Sequence, residues 1–268
     1  VSNAILVEPL AMPAVTASAS AAGYDPLNVA NIFMGVVWKS PTGAATRTLT
    51  IDLGADTAFD TIALFGLTGA QPGWTLKVDA ATAAQGSGFP VGSWTGTAAT
   101  LLAGTEMPTS GRGKSLWLAP AVSPPSASRY IRLTFGSLSN AAVTVARVVV
   151  GKRVQLHRNF QFGAAFGVRD LGSFDFSARG VPLFRRGEKL RSAGISFPHA
   201  HRDEVEAAVN PLLERIGNTE TIVLVTDPDA HAQRQNRMYV GPLVGDLGTV
   251  WARADGFEAR VNIVGLDR

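Results

Sequence analysis

The chain contains no cysteine. That excludes disulfides, thiol catalysis and thiolate-bound metal, and it makes the protein indifferent to the redox state of its surroundings. Charge is also sparse. Asp, Glu, Lys and Arg make up 17% of the residues and leave a net charge of only +3, too small a basic excess to make nucleic acid the first partner to consider. No apolar run approaches the roughly 18 residues that a membrane span requires. The opening "VSNAILVEPLAMPAV" has no basic n-region and no continuous apolar stretch, so a signal peptide is not expected there; Val1 fits removal of an initiator Met.

Enzyme signatures are missing as well. HExxH, a nucleophile elbow and a P-loop are all absent, and "GAAFGVRDLG" lacks the spacing of a dinucleotide turn. Asp52, Asp56 and Asp60 are regularly spaced, but on a strand and turn that show no acid/base asymmetry. The expectation is a protein with no catalytic residues, no cofactor and no metal.

What is present is a globular composition. Hydrophobic residues account for 46% of 268 positions, enough for one large or two ordinary domains, each with a real core. The charge is unevenly spread. Residues 1–150 carry 8 Lys and Arg and 7 Asp and Glu, whereas residues 151–268 carry 16 and 14. The expected domains are therefore 1–150 and 151–268. No flexible linker marks the crossing at "VTVARVVVGKRVQLHRNFQFG".

The first half reads as all-β, with strands expected over 48–53, 61–67, 75–80, 115–118, 130–135 and 143–150, each bounded by turn-forming residues. Leu49, Ile51 and Leu53 alternate with Thr50 and Asp52, as in a strand with one buried face. "TIALFGL" is apolar throughout and belongs at the centre of a sheet. Many short strands with regular turn signals indicate a sandwich or jelly roll.

In the second half "KLRSAGISF", "TETIVLVTDPD", "NRMYVGPLVG" and "GFEARVNIVGL" read as strands. Between the first two, Val205, Val209, Leu212 and Ile216 fall on one helical face. Asp203, Glu204 and Glu206 sit in its first turns and Gly217 is placed to end it. Pro211 is expected to kink this helix, or to start a new one capped by Asn210. The fold class expected is mainly β with a minor α+β part.

In the order of "NVANIFMGVVWKS", "LTIDLG", "FDTIALFGL" and "SRYIRLTF", residues 16–151 resemble the discoidin-like, galactose-binding-type jelly roll. That fold often binds glycans and also serves as a spacer or docking domain. The second half, with "RDEVEAAVNPLLERIG", "IVLVTDPD" and "RMYVGPL", resembles domains of distal tail and tail-tip proteins of long-tailed bacteriophages and gene-transfer agents. The resemblance implies a virion structural protein, made in the host cytoplasm, that forms a homo-oligomeric ring and contacts tail tube and baseplate hub proteins. The alternative it leaves open is a carbohydrate-binding module for host surface polysaccharide.

Candidate sites follow from these two readings, each beside a plainer one. Four of the five tryptophans, Trp38, Trp74, Trp94 and Trp117, lie in the first half. Aromatic faces stack on sugars, although for any one Trp a core or interface position is the commoner assignment. Trp94, in "GFPVGSWTGTA", is the best exposed-loop candidate, with Asn31 and Arg112 as polar partners. "FRRGEKLR" gathers Arg185, Arg186, Lys189 and Arg191, which read as a solvated loop or as an intersubunit charge contact. No aromatic residues interleave them to stack bases, so nucleic acid is not expected. His199, His201 and Asp203 could form a metal site but read as a polar helix start. Asp227, Asp229 and His231 carry calcium-type oxygens yet are also good turn chemistry.

Overall fold

The computed structural model describes residues 2–245, 247–253 and 255–267. The chain is mainly β, with 44% of it in strands against 9% in helix. It divides into two compact units. The first comprises 1–155 together with 225–238, and the second comprises 156–224 and 239–268.

The first unit contains β1 (Ile5–Val7), β2 (Ala14–Ala17), β3 (Trp38–Lys39), β4 (Arg47–Thr57), β5 (Thr61–Thr68), β6 (Thr75–Ala81), β7 (Trp94–Thr95), β8 (Ala99–Thr100), β9 (Arg112–Leu118), β10 (Ser128–Gly136), β11 (Thr144–Val145), β12 (Arg147–Gly151) and β13 (Arg153–Gln155). Two antiparallel sheets face each other. One runs β2-β4-β10-β6-β7, with β8 also on β6. In the other, β5 pairs with β9 on one side and with β11 and β12 on the other, and β3 flanks β11. The alternation in β4 works as its sequence implies: Leu49 and Ile51 are fully buried and Leu53 nearly so, while Thr50 and Asp52 face outward. β5 is buried along its whole length except Thr68. The inner faces close over Trp38, Leu49, Ile62, Leu64, Ile131 and Phe135.

The stretch expected as one strand over 143–150 is two, β11 and β12, broken at Ala146. Opposite the break Gly66 has φ +70°, and a Cβ there would lie 2.5 Å from the Ala146 Cβ. Only glycine combines that conformation with that approach.

The second unit contains β14 (Ala165–Asp170), β15 (Ser173–Phe176), β16 (Pro182–Arg185), β17 (Lys189–His201), β18 (Thr221–Val225), β19 (Met238–Pro242), β20 (Thr249–Arg253) and β21 (Gly256–Val264). β18 and β19 each reach the unit boundary at one end. One antiparallel sheet runs β14-β17-β21-β20, and β15 and β16 form a separate two-stranded ribbon. Ala193, Ile195, Phe197, Ala259, Val261 and Ile263 make the buried face of the four-stranded sheet.

The helix runs continuously through α turns at Arg202–Glu204, a π turn at Val205–Val209 and α turns at Asn210–Ile216. Its stripe of Val205, Val209, Leu212 and Ile216 is buried. Pro211 neither breaks the helix nor gives it a new start. Asn210 has helical φ and ψ, and its N–H bonds the carbonyl of Val205, five residues back. The π turn widens the helix just before the proline, which has no N–H to donate, so the stripe stays in phase across it. Gly217, at φ +53°, ends the helix as expected.

Candidate functional site

The most exposed aromatic loop of the first unit is 24–37. Asp25 accepts a hydrogen bond from the Leu27 N–H at 2.7 Å and caps a 3-10 turn, Pro26–Ala30, that begins with proline. This is a favoured way to start such a turn. Asn28 Nδ2 donates to the Val37 carbonyl at 2.9 Å, and Asn31 Oδ1 accepts from the Phe33 N–H at 3.0 Å. The Val36 N–H closes a turn on the Phe33 carbonyl. These bonds fix the backbone on both sides of Phe33, whose ring is 65% exposed. Tyr24 is also exposed, with the Lys39 ammonium 5.8 Å from its ring centroid. Leu27, Ile32 and Val36 of the same loop are exposed as well. Because the Asn31 amide oxygen is used by the Phe33 N–H, its amide nitrogen is the group that could donate outward.

The three sequence candidates do not share one surface. Asn31 belongs to this loop, and its carbonyl accepts from Arg147 Nη1 at 3.3 Å. Arg147 lies on β12, on one side of β5 opposite Phe65, whereas Arg112 begins β9 on the other side of β5, opposite Thr68. Trp94 is not in a loop. It is in β7, opposite Ala80, partly buried against the core. Its indole N–H donates to the Ser123 carbonyl at 2.8 Å, and its ring packs edge-on to Trp117 at 5.9 Å. Trp117 lies five residues along β9 from Arg112, a separation of roughly 17 Å. The remaining tryptophans of this half are core or core-flanking: Trp38 and Trp74 are buried, and Trp117 packs against the cluster. Phe33 was not among the sequence candidates, although it stands in the quoted "NVANIFMGVVWKS".

On the outward face of the β4 sheet, Arg129 grips Asp52 with two hydrogen bonds of 2.7 and 2.9 Å. The guanidinium holds the Asp52 carboxyl below the usual carboxylate range, helped by the Gly54 N–H.

The cationic stretch of the second unit divides in two. Arg191 is committed within its own unit. Its Nη2 donates to the Tyr239 hydroxyl at 3.0 Å, its guanidinium lies 4.4 Å from the Tyr239 ring centroid, and Nη1 is 3.9 Å from the buried Asp267 carboxylate. Burial pushes the Tyr239 hydroxyl up, against the lowering effect of Arg191. Arg185, Arg186 and Lys189 instead line an open concavity of about 700 Å³ with Phe174 and Phe184, where the β15–β16 ribbon bends away from β14 and β17.

Among the described residues no group of three or more His, Asp and Glu is placed to hold a metal. His199 and His201 lie at the bulged end of β17, with His201 ring-to-ring with His157 at 6.0 Å. Asp227 is paired with Arg237 and also accepts the Asp229 N–H, while Asp229 takes the Ser2 backbone N–H and hydroxyl. The Asp-Pro-Asp oxygens are thus spent on turn and terminus contacts. Among the described residues no helix is long and apolar enough to cross a membrane.

No protein-family model matches the chain, and no curated protein matches it. Among solved structures it is similar over 53% of its length to chitosan-binding module 1 of a chitosanase/glucanase from Paenibacillus sp. IK-5, at 17% identity and a TM-score of 0.41, covering 98% of that chain. Over 55% of its length it is similar to a Streptococcus pneumoniae fucose binding module, at 14% identity and a TM-score of 0.41, covering 96% of that chain. Over 52% it is similar to a Ruminococcus gnavus GH29 fucosidase, at 17% identity and a TM-score of 0.38, and there it spans only 25% of the other chain.

Proposed function

We propose that the first unit is a carbohydrate-binding module that recognises a host surface polysaccharide without turning it over. The observation that carries this reading is Phe33, an aromatic ring 65% exposed on a backbone locked by its own hydrogen bonds, with Asn31 bonded to its N–H and Tyr24 exposed in the same loop. A pre-ordered ring costs little entropy on binding, and an adjacent amide supplies the polar contact that orients a sugar. The test is calorimetric titration of the intact protein with polysaccharide from the host. Phe33→Ala is expected to abolish measurable binding while leaving the melting temperature in place, and no reducing ends are released. Binding that survives Phe33→Ala, or no binding by the unaltered protein, refutes the reading.

A second reading is favoured by a different observation. The chain would be a structural component of a long-tailed phage tail tip or baseplate, forming a homo-oligomeric ring between tail tube and hub or host-contact proteins. It is supported by the β15–β16 ribbon, every residue of which is exposed although three are phenylalanine. A protein that stays alone in water rarely keeps such a surface. Immunogold labelling of particles from an induced culture is expected to mark the tail end. Unlabelled tails, with the epitopes shown to be accessible, would discard this role.

A further inference from the structure

We propose that the return of residues 225–238 to the first unit builds a second binding site there, for a compact ligand that carries one carboxylate. The site is separate from the Phe33 loop and does not depend on it. It is an open cavity of about 340 Å³. One wall comes from the 230–234 turn and the other from residues 100–105, beside Pro72. Both walls belong to the first unit. They are held at close quarters: the Glu106 N–H donates to the Ala232 carbonyl at 3.0 Å, and a Cβ on Gly104 would lie 2.3 Å from that same oxygen. A glycine at 104 is what lets the two backbones approach.

Arg234 supplies the charge. Its Nε donates to the Ala103 carbonyl at 2.6 Å and its Nη1 to the Pro228 carbonyl at 3.1 Å. Two backbone anchors fix the plane of the guanidinium before any ligand arrives. A guanidinium has five N–H groups, and with two used, three have no acceptor among the described residues. Nor does Arg234 have a carboxylate of its own. Asp227 and Asp229 act on it through space, but Asp227 is paired with Arg237, and Asp229 takes the Ser2 N–H and hydroxyl. Burial pushes the Arg234 guanidinium below its ordinary value, against the raising effect of those two carboxylates. The charge is therefore poorly hydrated, and an anion that meets it gains more there than on the open surface.

The hydrogen bonding of the walls selects the ligand. The carbonyls of Ala103, Gly104, His231 and Ala232 each already accept a hydrogen bond, from Arg234 Nε, Gln235 Nε2, the Arg234 N–H and the Glu106 N–H. His231 Nδ1 accepts the Gln233 N–H at 3.0 Å, so the neutral ring carries its proton on Nε2. That N–H has no acceptor among the described residues. The groups left unused are donors, and no Asp or Glu lines the cavity. A planar carboxylate fits the guanidinium fork bidentately. One guanidinium beside a neutral imidazole balances one negative charge. A phosphate monoester, at about −1.5 to −2, would leave charge unmatched near Asp227 and Asp229. Leu102 and Pro72 offer apolar surface to the body of the ligand. Such a carboxylate is found on a uronate unit of a polysaccharide and on a free organic acid alike.

The test titrates the full chain with glucuronate, cyclohexanecarboxylate, glucose and glucose 6-phosphate. Binding is read by calorimetry and by the imidazole carbon–proton resonances of the four histidines, with His231 assigned through His231→Phe. Both carboxylates are expected to bind and to move the His231 resonance, while those of His157, His199 and His201 stay in place, and glucose is expected not to bind. Tighter binding of glucuronate would point to a uronate unit as the source, and tighter binding of cyclohexanecarboxylate to a free acid; either upholds the site. Arg234→Gln should weaken carboxylate binding about tenfold or more, and His231→Phe about threefold or more. The second variant changes an exposed ring and keeps the test decisive if the first does not fold. Equal affinity for glucose, tighter binding of glucose 6-phosphate, binding that leaves His231 unmoved, or no binding of either carboxylate at millimolar concentration overturns the proposal. Phe33→Ala should leave glucuronate binding intact, so the two sites stand or fall separately.

Discussion

Gln235 makes three of the hydrogen bonds that tie residues 225–238 to the first unit, and its removal has a calculable cost. Gln235 is fully buried. Its Nε2 donates to the carbonyls of Gly104 and Glu106 at 2.6 and 3.2 Å, and its Oε1 accepts the Lys114 N–H at 2.7 Å. Gln235→Leu keeps the bulk and abolishes all three bonds. The buried Lys114 N–H left unpaired costs about 1–3 kcal/mol, the two part-buried carbonyls about 0.5–1.5 kcal/mol each, and the leucine returns about 1 kcal/mol of apolar burial, for a net loss of roughly 1–5 kcal/mol. For a domain of this size that lowers the melting temperature by roughly 2–20 °C. Tryptophan emission in a Trp251→Phe background reports the first unit alone, because Trp38, Trp74, Trp94 and Trp117 all lie in it. Asn236→Ala is the control: its neighbouring side chain bonds Gln233 in an exposed position, and the change is expected to cost under about 0.5 kcal/mol. A Gln235→Leu loss no larger than this control would show that the segment is held by something else.

Three further outcomes follow from the first unit. Gly66→Ala adds a left-handed backbone cost of about 1–2 kcal/mol to an overpacking cost of about 1–3 kcal/mol against Ala146, so denaturant unfolding should show a loss of roughly 2–5 kcal/mol; a neutral substitution would mean that β11 and β12 yield freely. Trp94→Ala should cost about 2–4 kcal/mol in the same assay, since it removes the ring packed on Trp117, and polysaccharide affinity should be unchanged wherever the variant stays folded; a selective loss of binding would restore Trp94 as a contact. Asp52 has its folded pKa depressed by Arg129, so its contribution is fully present above the unfolded value and is lost as pH falls through the folded one. Below about pH 4, stability should therefore fall more steeply in the unaltered protein than in Asp52→Asn, and equal slopes in acid titrations would refute the pairing.

Much of the sandwich can be read from the sequence because burial there is one-sided and regular. Leu49, Ile51 and Leu53 alternate, "TIALFGL" does not, and the two patterns correspond to an outer-faced and a central strand. The helix stripe survives Pro211 because a π turn precedes the proline and the stripe stays in phase across it. The Gly and Pro around Trp94 point to a loop, yet the Ser123 carbonyl and the edge of Trp117 hold it inward. The 225–238 segment has no periodicity to find. Gln235 acts through backbone groups about 130 positions away, and polar side chains that bond distant backbone leave no local pattern.

The ribbon shows a different limit. Phe174 and Phe176 alternate with Ser173 and Asp175, as in a strand with one apolar face, and nearby cations in "FRRGEKLR" draw attention first. Alternation states that a face is apolar, not what covers it. Inside this chain nothing described covers it: the rings stay more than half exposed, and the ribbon bends off its sheet where Gly172 and Gly187 pass so closely that a Cβ on Gly187 would lie 2.3 Å from the Gly172 nitrogen. Two glycines at one bend are therefore required to aim the ribbon away from its own core. A side chain at Gly187 should re-aim the ribbon without unfolding the sheet. If Gly187→Val leaves the melting temperature near that of the unaltered chain but changes the binding of an apolar dye to the exposed Phe174, Phe176 and Phe184 rings, the two glycines are what aim the ribbon. If dye binding is unchanged, the ribbon is aimed by something other than the close approach of Gly172 and Gly187.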